Sequence, residues 1–330
     1  IVGGEDREHK FLREYFAGLI AYSANRIPEI ADDLYSIDDA MRTGYAWGHG
    51  PFEYWDAIGF DEGLKMIQEH DGVVADWVSE MQAAGHTAFY RTEKGERQYY
   101  DVASKSYQAV PSQKPYIILD TLRDNSPIIQ NDSCTVHDLG DGVMCVEFTS
   151  KSNSIDDAIG QAISEAIDKA ENEGWAGIVI GNNAKNFTVG ANLMNVGMTA
   201  MQQDWDTLNT MIDGFQQLNM KIKTCKVPVV VATQGYVFGG GCEISMHADA
   251  GIYAAESYIG LVEVGVGLIP GGGGTKEIAL RASDSYFDGD VMMPTLLKSF
   301  QTIAMASVST SAYEAYDHNY LLEGKDFVEV

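Results

Sequence analysis

Eight apolar residues, Ile155, Ala158, Ile159, Ala162, Ile163, Ala166, Ile167 and Ala170, recur three and four positions apart. That period lays them along one face of a helix, a face that must be covered. Ser154 is placed to cap the start and Gly174 to end it. The unbroken apolar run Ala176–Ile180 then reads as a strand buried on both faces. A helix and a strand that both need covering, joined by a glycine, restrict this part of the chain to a layered α/β architecture. The alternation continues with a helix over Trp205–Ile222, a strand over Val227–Ala232, a short helix beginning in Gly239-Gly240-Gly241, and a strand over Ala250–Ala254. Upstream, Val136–Leu139 and Val143–Phe148 flank Gly140-Asp141-Gly142 as a β-hairpin.

Residues 5–100 carry the helical period instead. Phe11, Tyr15, Phe16, Leu19 and Ile20 share a face, and Pro28 interrupts it. Ser36-Ile37-Asp38-Asp39 reads as a capping box for a helix through Thr43, and Gly72–Ala84 as a further amphipathic helix. No strand period is evident before about residue 95. Residues 100–130 are polar, with Pro111, Pro115 and Pro127, and read as a linker or strap. The expected organisation is a helical domain over 1–105, a linker over 106–131 and an α/β domain over 132–330.

The formal net charge of −26 argues against a nucleic-acid or anionic-membrane partner. No apolar run is long enough to span a bilayer, and no signal-peptide pattern is present. The four cysteines form no CxxC pair, which fits free thiols in a reducing, cytoplasmic setting, and the seven histidines show no metal-ligand spacing. The opening Ile1-Val2-Gly3-Gly4 resembles the mature start of a trypsin-like protease, but no matching nucleophile segment follows.

Chemistry concentrates in Gln234–Thr275. Glu243 follows Gly239-Gly240-Gly241-Cys242, and Glu263 precedes Pro270 and Gly271–Gly274. Glycine lets a ligand oxygen approach main-chain amides, and two carboxylates can move protons. A second loop, Asn182–Leu193, also follows a strand, which is where α/β folds place ligands. Amides from two such loops would make an oxyanion hole. Cys242 reads as a packed thiol and His247 as a structural residue. Lys185, Lys223 and Lys276 are candidate phosphate contacts that surface exposure would equally explain. Met194, Val196 and Met198 could line an apolar pocket or the core.

The sequence GGGCE, a strand, a second Glu and IPGGGGT, preceded by an F-x-x-GA loop, resembles the enoyl-CoA hydratase (crotonase) family over residues 132 to about 285. The resemblance implies a crotonase fold of repeated ββα units. It implies that the amides of Ala191 and Gly240 bind a thioester oxygen, that Glu243 activates water, and that Glu263 exchanges the C2 proton. It further implies that Gly271 shapes the water pocket and that Phe187, Val189, Ala191 and Leu193 receive the CoA moiety. The reaction implied is addition of water to a 2-trans-enoyl-CoA in β-oxidation, with coenzyme A as part of the substrate and no metal or redox cofactor. An isomerase of this fold, which the resemblance implies often works with the second carboxylate only, is one alternative. A catalytically silent CoA-binding or scaffold fragment is the other. Asn192, where the family commonly has Asp, and an apparent insertion over Ser283–Pro294 depart from the pattern.

Gly48-His49-Gly50-Pro51-Phe52-Glu53-Tyr54-Trp55-Asp56 resembles the all-α C-terminal domain of 3-hydroxyacyl-CoA dehydrogenases. The order of the two resemblances matches a bifunctional protein whose NAD-binding Rossmann domain lies outside these residues. The end at Val330 falls short of the helices that close the acyl pocket in the family. A homo-oligomer is compatible with this reading.

Overall fold

The computed structural model describes residues 2–93, 96–111, 117–123 and 125–330. It divides into two compact units, Ile1–Asp124 and Asn125–Val330.

The first unit opens with five helices: α1 (Arg7–Asn25), α2 (Leu34–Tyr45), α3 (Pro51–Ile58), α4 (Phe60–Glu69) and α5 (Asp76–Ala83). Their core is aromatic: Phe52, Trp55 and Phe89 are fully buried, with Phe60 packed against them. The cap of α2 is Asp33, which accepts from the Ser36 amide at 2.8 Å, so the box expected at Ser36 lies inside the helix. Asp38 of α2 accepts from the Phe52 and Glu53 amides at 2.9 and 3.1 Å and from the Tyr90 hydroxyl at 2.9 Å. It therefore serves the free N–H groups at the start of α3. A three-stranded antiparallel sheet, β1 (Tyr90–Glu93), β2 (Glu96–Asp101) and β3 (Ser106–Ala109), follows the helices. It occupies residues expected to be helix tail and linker. Tyr99 and Tyr100 are both buried, so the strands lack the clean in–out alternation by which a strand is recognised.

The second unit is built on seven strands: β4 (Ile129–Gln130), β5 (Cys134–Asp138), β6 (Val143–Phe148), β7 (Gly177–Gly181), β8 (Val229–Phe238), β9 (Ala250–Gly260) and β10 (Asp326–Glu329). They pair in the order β10-β9-β8-β7-β6-β5-β4, parallel from β6 to β10 and antiparallel across β4-β5-β6. The helices are α6 (Asp157–Glu173), α7 (Leu193–Met201), α8 (Trp205–Thr224), α9 (Gly240–His247), α10 (Gly274–Asp284), α11 (Met292–Ala304) and α12 (Glu314–Asp317). The apolar face of α6 is buried as its spacing requires, but Asp156 rather than Ser154 caps it, accepting from the Ile159 amide at 3.0 Å.

β8 and β9 outrun the main sheet. A register shift between Thr233 and Gly235 turns the outer half of β8, which pairs Gly235–Phe238 with Ser257–Gly260. Bridges Thr188↔Val237 and Ile155↔Ala191 extend this second, smaller layer. This is how ββα units repeat here: the outer strand ends gather the loops into one wall. Among the described residues, no helix is long and apolar enough to cross a membrane.

Candidate active site

The loop before α7 is stitched into that outer layer. The Phe187 amide donates to the Gln234 carbonyl at 2.8 Å, and the Thr188 amide to that of Tyr236 at 3.0 Å. Gly190 lies at φ +99°, and a Cβ there would stand 3.0 Å from the Phe238 carbonyl oxygen, so this loop and the end of β8 touch only because position 190 is glycine. Ala191 is fixed from both sides: Ile155 donates to the Gly190 carbonyl and accepts from the Asn192 amide, each at 2.9 Å. The side chain of Asn192 accepts from the Met194 amide at 3.1 Å and caps α7.

β8 ends at Phe238, Gly239 turns the chain at φ +50°, and α9 begins at Gly240. Among the described residues, the amides of Ala191 and Gly240 have no acceptor within the chain. The two amides stand at the ends of adjoining loops and border one cleft of about 1340 Å³.

Glu243 and Glu263 line the same cleft. Glu243 is 2% exposed, and its Oε1 accepts from the Gly274 amide at 2.8 Å. Burial, with the nearby Glu263 charge second, pushes its carboxyl up to about 7. Glu263 sits on a 3₁₀ turn, Glu263–Val266, just past β9. Burial raises its carboxyl as well, and its Oε2 is buried with no hydrogen-bond partner. Two glycines make room for these groups. A Cβ at Gly239 would lie 3.0 Å from Glu263 Oε1, and one at Gly272 would lie 2.5 Å from Glu243 Oε2 and strike the Phe215 ring.

Gly271, Val189 and Leu193 border the cleft beside Ala191, as does Val196. Phe187 does not: its ring is fully buried and tilted against Phe148 in the core, so it has no surface to offer a ligand. Met194 and Met198 are exposed and outside the lining. Lys223 and Lys276 each reach Glu277 Oε1 at 2.6 Å, and Lys185 lies outside the cleft. Cys242 is fully buried, and its thiol is pushed well up by that burial.

Residues on α8 also shape the site. Gln216 and Asn219, three positions apart and so on one helix face, donate to the Gly271 and Gly272 carbonyls at 2.6 and 2.8 Å. Their partners lie more than fifty residues downstream, so no local pattern reveals them.

Residues 138–290 match the family model described as enoyl-CoA hydratase/isomerase. A Bacillus subtilis (strain 168) protein named "Probable 3-hydroxyacyl-CoA dehydrogenase" is 40% identical over 324 residues, covering 98% of this chain and 40% of that protein. A crotonyl-CoA hydratase from Syntrophomonas wolfei is 33% identical over 103 residues, 31% of this chain and 37% of that protein. This chain thus spans about two fifths of the length of these relatives. The crystal structure of an enoyl-CoA hydratase from Thermoplasma volcanium superposes with a TM-score of 0.50 at 20% identity, covering 61% of this chain and 73% of that one, a likeness of fold. The layered unit whose outer strand ends bring Glu243 and Glu263 into one cleft is therefore the part of the chain, residues 138–290, that is similar to the enoyl-CoA hydratase/isomerase family.

Proposed function

We propose that this chain adds water across the double bond of a 2-trans-enoyl-CoA to give a 3-hydroxyacyl-CoA. The observation that carries the reading is the pairing, in one cleft, of a buried and a half-buried carboxylate with two amides that lack acceptors among the described residues. Negative charge develops on the thioester oxygen as water attacks C3, and we assign the Ala191 and Gly240 amides to receive it. One such donor typically contributes on the order of a hundredfold in rate.

The surroundings divide the proton work. The Gly274 N–H holds Glu243 Oε1 and offsets part of the burial that raises its carboxyl, and we assign Glu243 to take a proton from water. Glu263, half-buried beside it with Oε2 free of a hydrogen-bond partner, is assigned the proton exchange at C2. Gly271 closes the water pocket, and Val189, Ala191 and Leu193 receive the CoA moiety. Both carboxylates in the cleft favour hydration over isomerisation. Hydration draws on no metal or redox group. The first relative's name includes 3-hydroxyacyl-CoA dehydrogenase; such an enzyme would consume the product formed here. That supports a place in β-oxidation beside a dehydrogenase function of a longer protein, whose NAD site would belong to other residues.

Mixing the 330-residue chain with a short 2-enoyl-CoA should abolish the absorbance of the conjugated thioester and yield the 3-hydroxy product. Full retention of that rate by Glu243→Ala would overturn the assignment.

A further inference from the structure

At the wall of the cleft, beside Glu243, runs a polar chain that the hydration chemistry above does not use. His247, the last residue of α9, is 1% exposed. Its Nδ1 is 2.6 Å from the Glu243 carbonyl oxygen, and its Nε2 is 3.0 Å from Lys276 Nζ. A carbonyl only accepts, so Nδ1 carries the hydrogen and Nε2 offers a lone pair to the lysine. Burial pushes the imidazole down to about 4, which keeps this neutral tautomer in place at working pH. The charged groups facing the ring are Lys276 and Glu277 of α10 and Lys223 of α8. Burial would raise the Glu277 carboxyl, but its bonds to Lys223 and Lys276 hold it at about 2, so it stays an anion that anchors both lysines.

The ring also supports the glycine loop. Gly273 lies at φ +111°, and a Cβ there would stand 3.1 Å from His247 Cε1. The next residue, Gly274, is the one whose amide holds Glu243 Oε1. His247 therefore grips the Glu243 main chain with one nitrogen. With the other it grips the helix whose first amide holds the Glu243 carboxylate.

We propose that His247 and Lys276 are positioning residues that aim Glu243 by bracing the Gly273–Gly274 peptide. The kinetic consequence rests on the hydratase reading, whereas the mechanical one does not. Two variants test it in the full chain, His247→Leu and Lys276→Met. His247→Asn serves as the rescue, because asparagine side chains in this chain already donate to the carbonyl four residues back, Asn25 to Ala21 at 2.8 Å and Asn172 to Asp168 at 2.7 Å.

Amide hydrogen exchange over residues 271–276 should speed up by about 10-fold in His247→Leu and Lys276→Met, with exchange in β7 and β8 unchanged. His247→Asn should recover part of the protection. Loss of protection across the whole unit instead would mark a general packing role and overturn the proposal, as would unchanged exchange in residues 271–276. In the kinetic arm, kcat should fall by about 10-fold with KM nearly constant. Normal kcat in His247→Leu, alongside an inactive Glu243→Gln, would overturn this inference and leave the hydratase reading intact. A parent chain that hydrates no enoyl-CoA would fail that reading, and the exchange data would still decide this one.

Discussion

Asp38 in the first unit and Glu243 in the second are both buried, and burial pushes each carboxyl up to about 7. Their partners differ. Asp38 is served by two amides and a tyrosine hydroxyl. Its neighbour Glu53 takes Arg42 and Arg97 on Oε1, at 2.8 and 2.6 Å, and the Gly50 amide on Oε2. In the second unit Glu243 Oε1 accepts from the Gly274 amide and, among the described residues, no side-chain donor reaches it, and Glu263 keeps an oxygen buried and unpartnered. A perturbed carboxyl alone thus does not separate a structural acid from a chemical one; what separates them is whether the surrounding atoms leave it something to do.

Substitutions that remove one acid at a time sharpen this contrast. The largest effect expected is in Glu263→Gln, where hydration should drop by about a thousandfold while the melting temperature stays or rises, since no satisfied bond is lost. Asp38→Ala should do the reverse, lowering stability by ~3 kcal/mol in chemical denaturation by orphaning three donors, with hydration unchanged below the transition. If Asp38→Ala abolished turnover without unfolding, the contrast between the two sites would collapse. Next, Gly272→Ala forces a methyl against Glu243 Oε2 and Phe215; a fall of about 100-fold in kcat is expected from displacement of the carboxylate.

The smallest effect is on stability as a function of pH. The Glu243 carboxyl moves from 4.5 to about 7 on burial. Its protonated form is at home in the fold, so its contribution is intact below about 4.5 and is lost as pH climbs through 7. Glu243→Gln has no such group. Its stability relative to the parent should therefore rise across that window and level off above it. A flat difference would mean that Glu243 is hydrated in the free protein.

The same distinction explains what could be read from the chain. The face of α6, the Asp-Gly hairpin and the glycine loops that carry Glu243 and Glu263 are local patterns, each set by spacing or by backbone geometry. The cap of α6 was misplaced because Ser154 and Asp156 are equally good capping residues. The bridge from Ile155 to Ala191 holds that stretch extended, and it joins residues far apart in sequence. The sheet over Tyr90–Ala109 was hidden by short strands whose buried tyrosines break alternation. Gln216, Asn219 and His247 matter through atoms they meet in space, and Phe187, placed in the CoA loop by its motif, points into the core instead.

The stitching of the Phe187–Asn192 loop to β8 and Ile155 has one further consequence. Both amides proposed to receive the thioester oxygen are locked by main-chain bonds and by glycines that admit no slack. Little of the protein has to be reordered as charge arrives there, so the activation entropy of hydration should lie near zero and its temperature dependence should be almost wholly enthalpic.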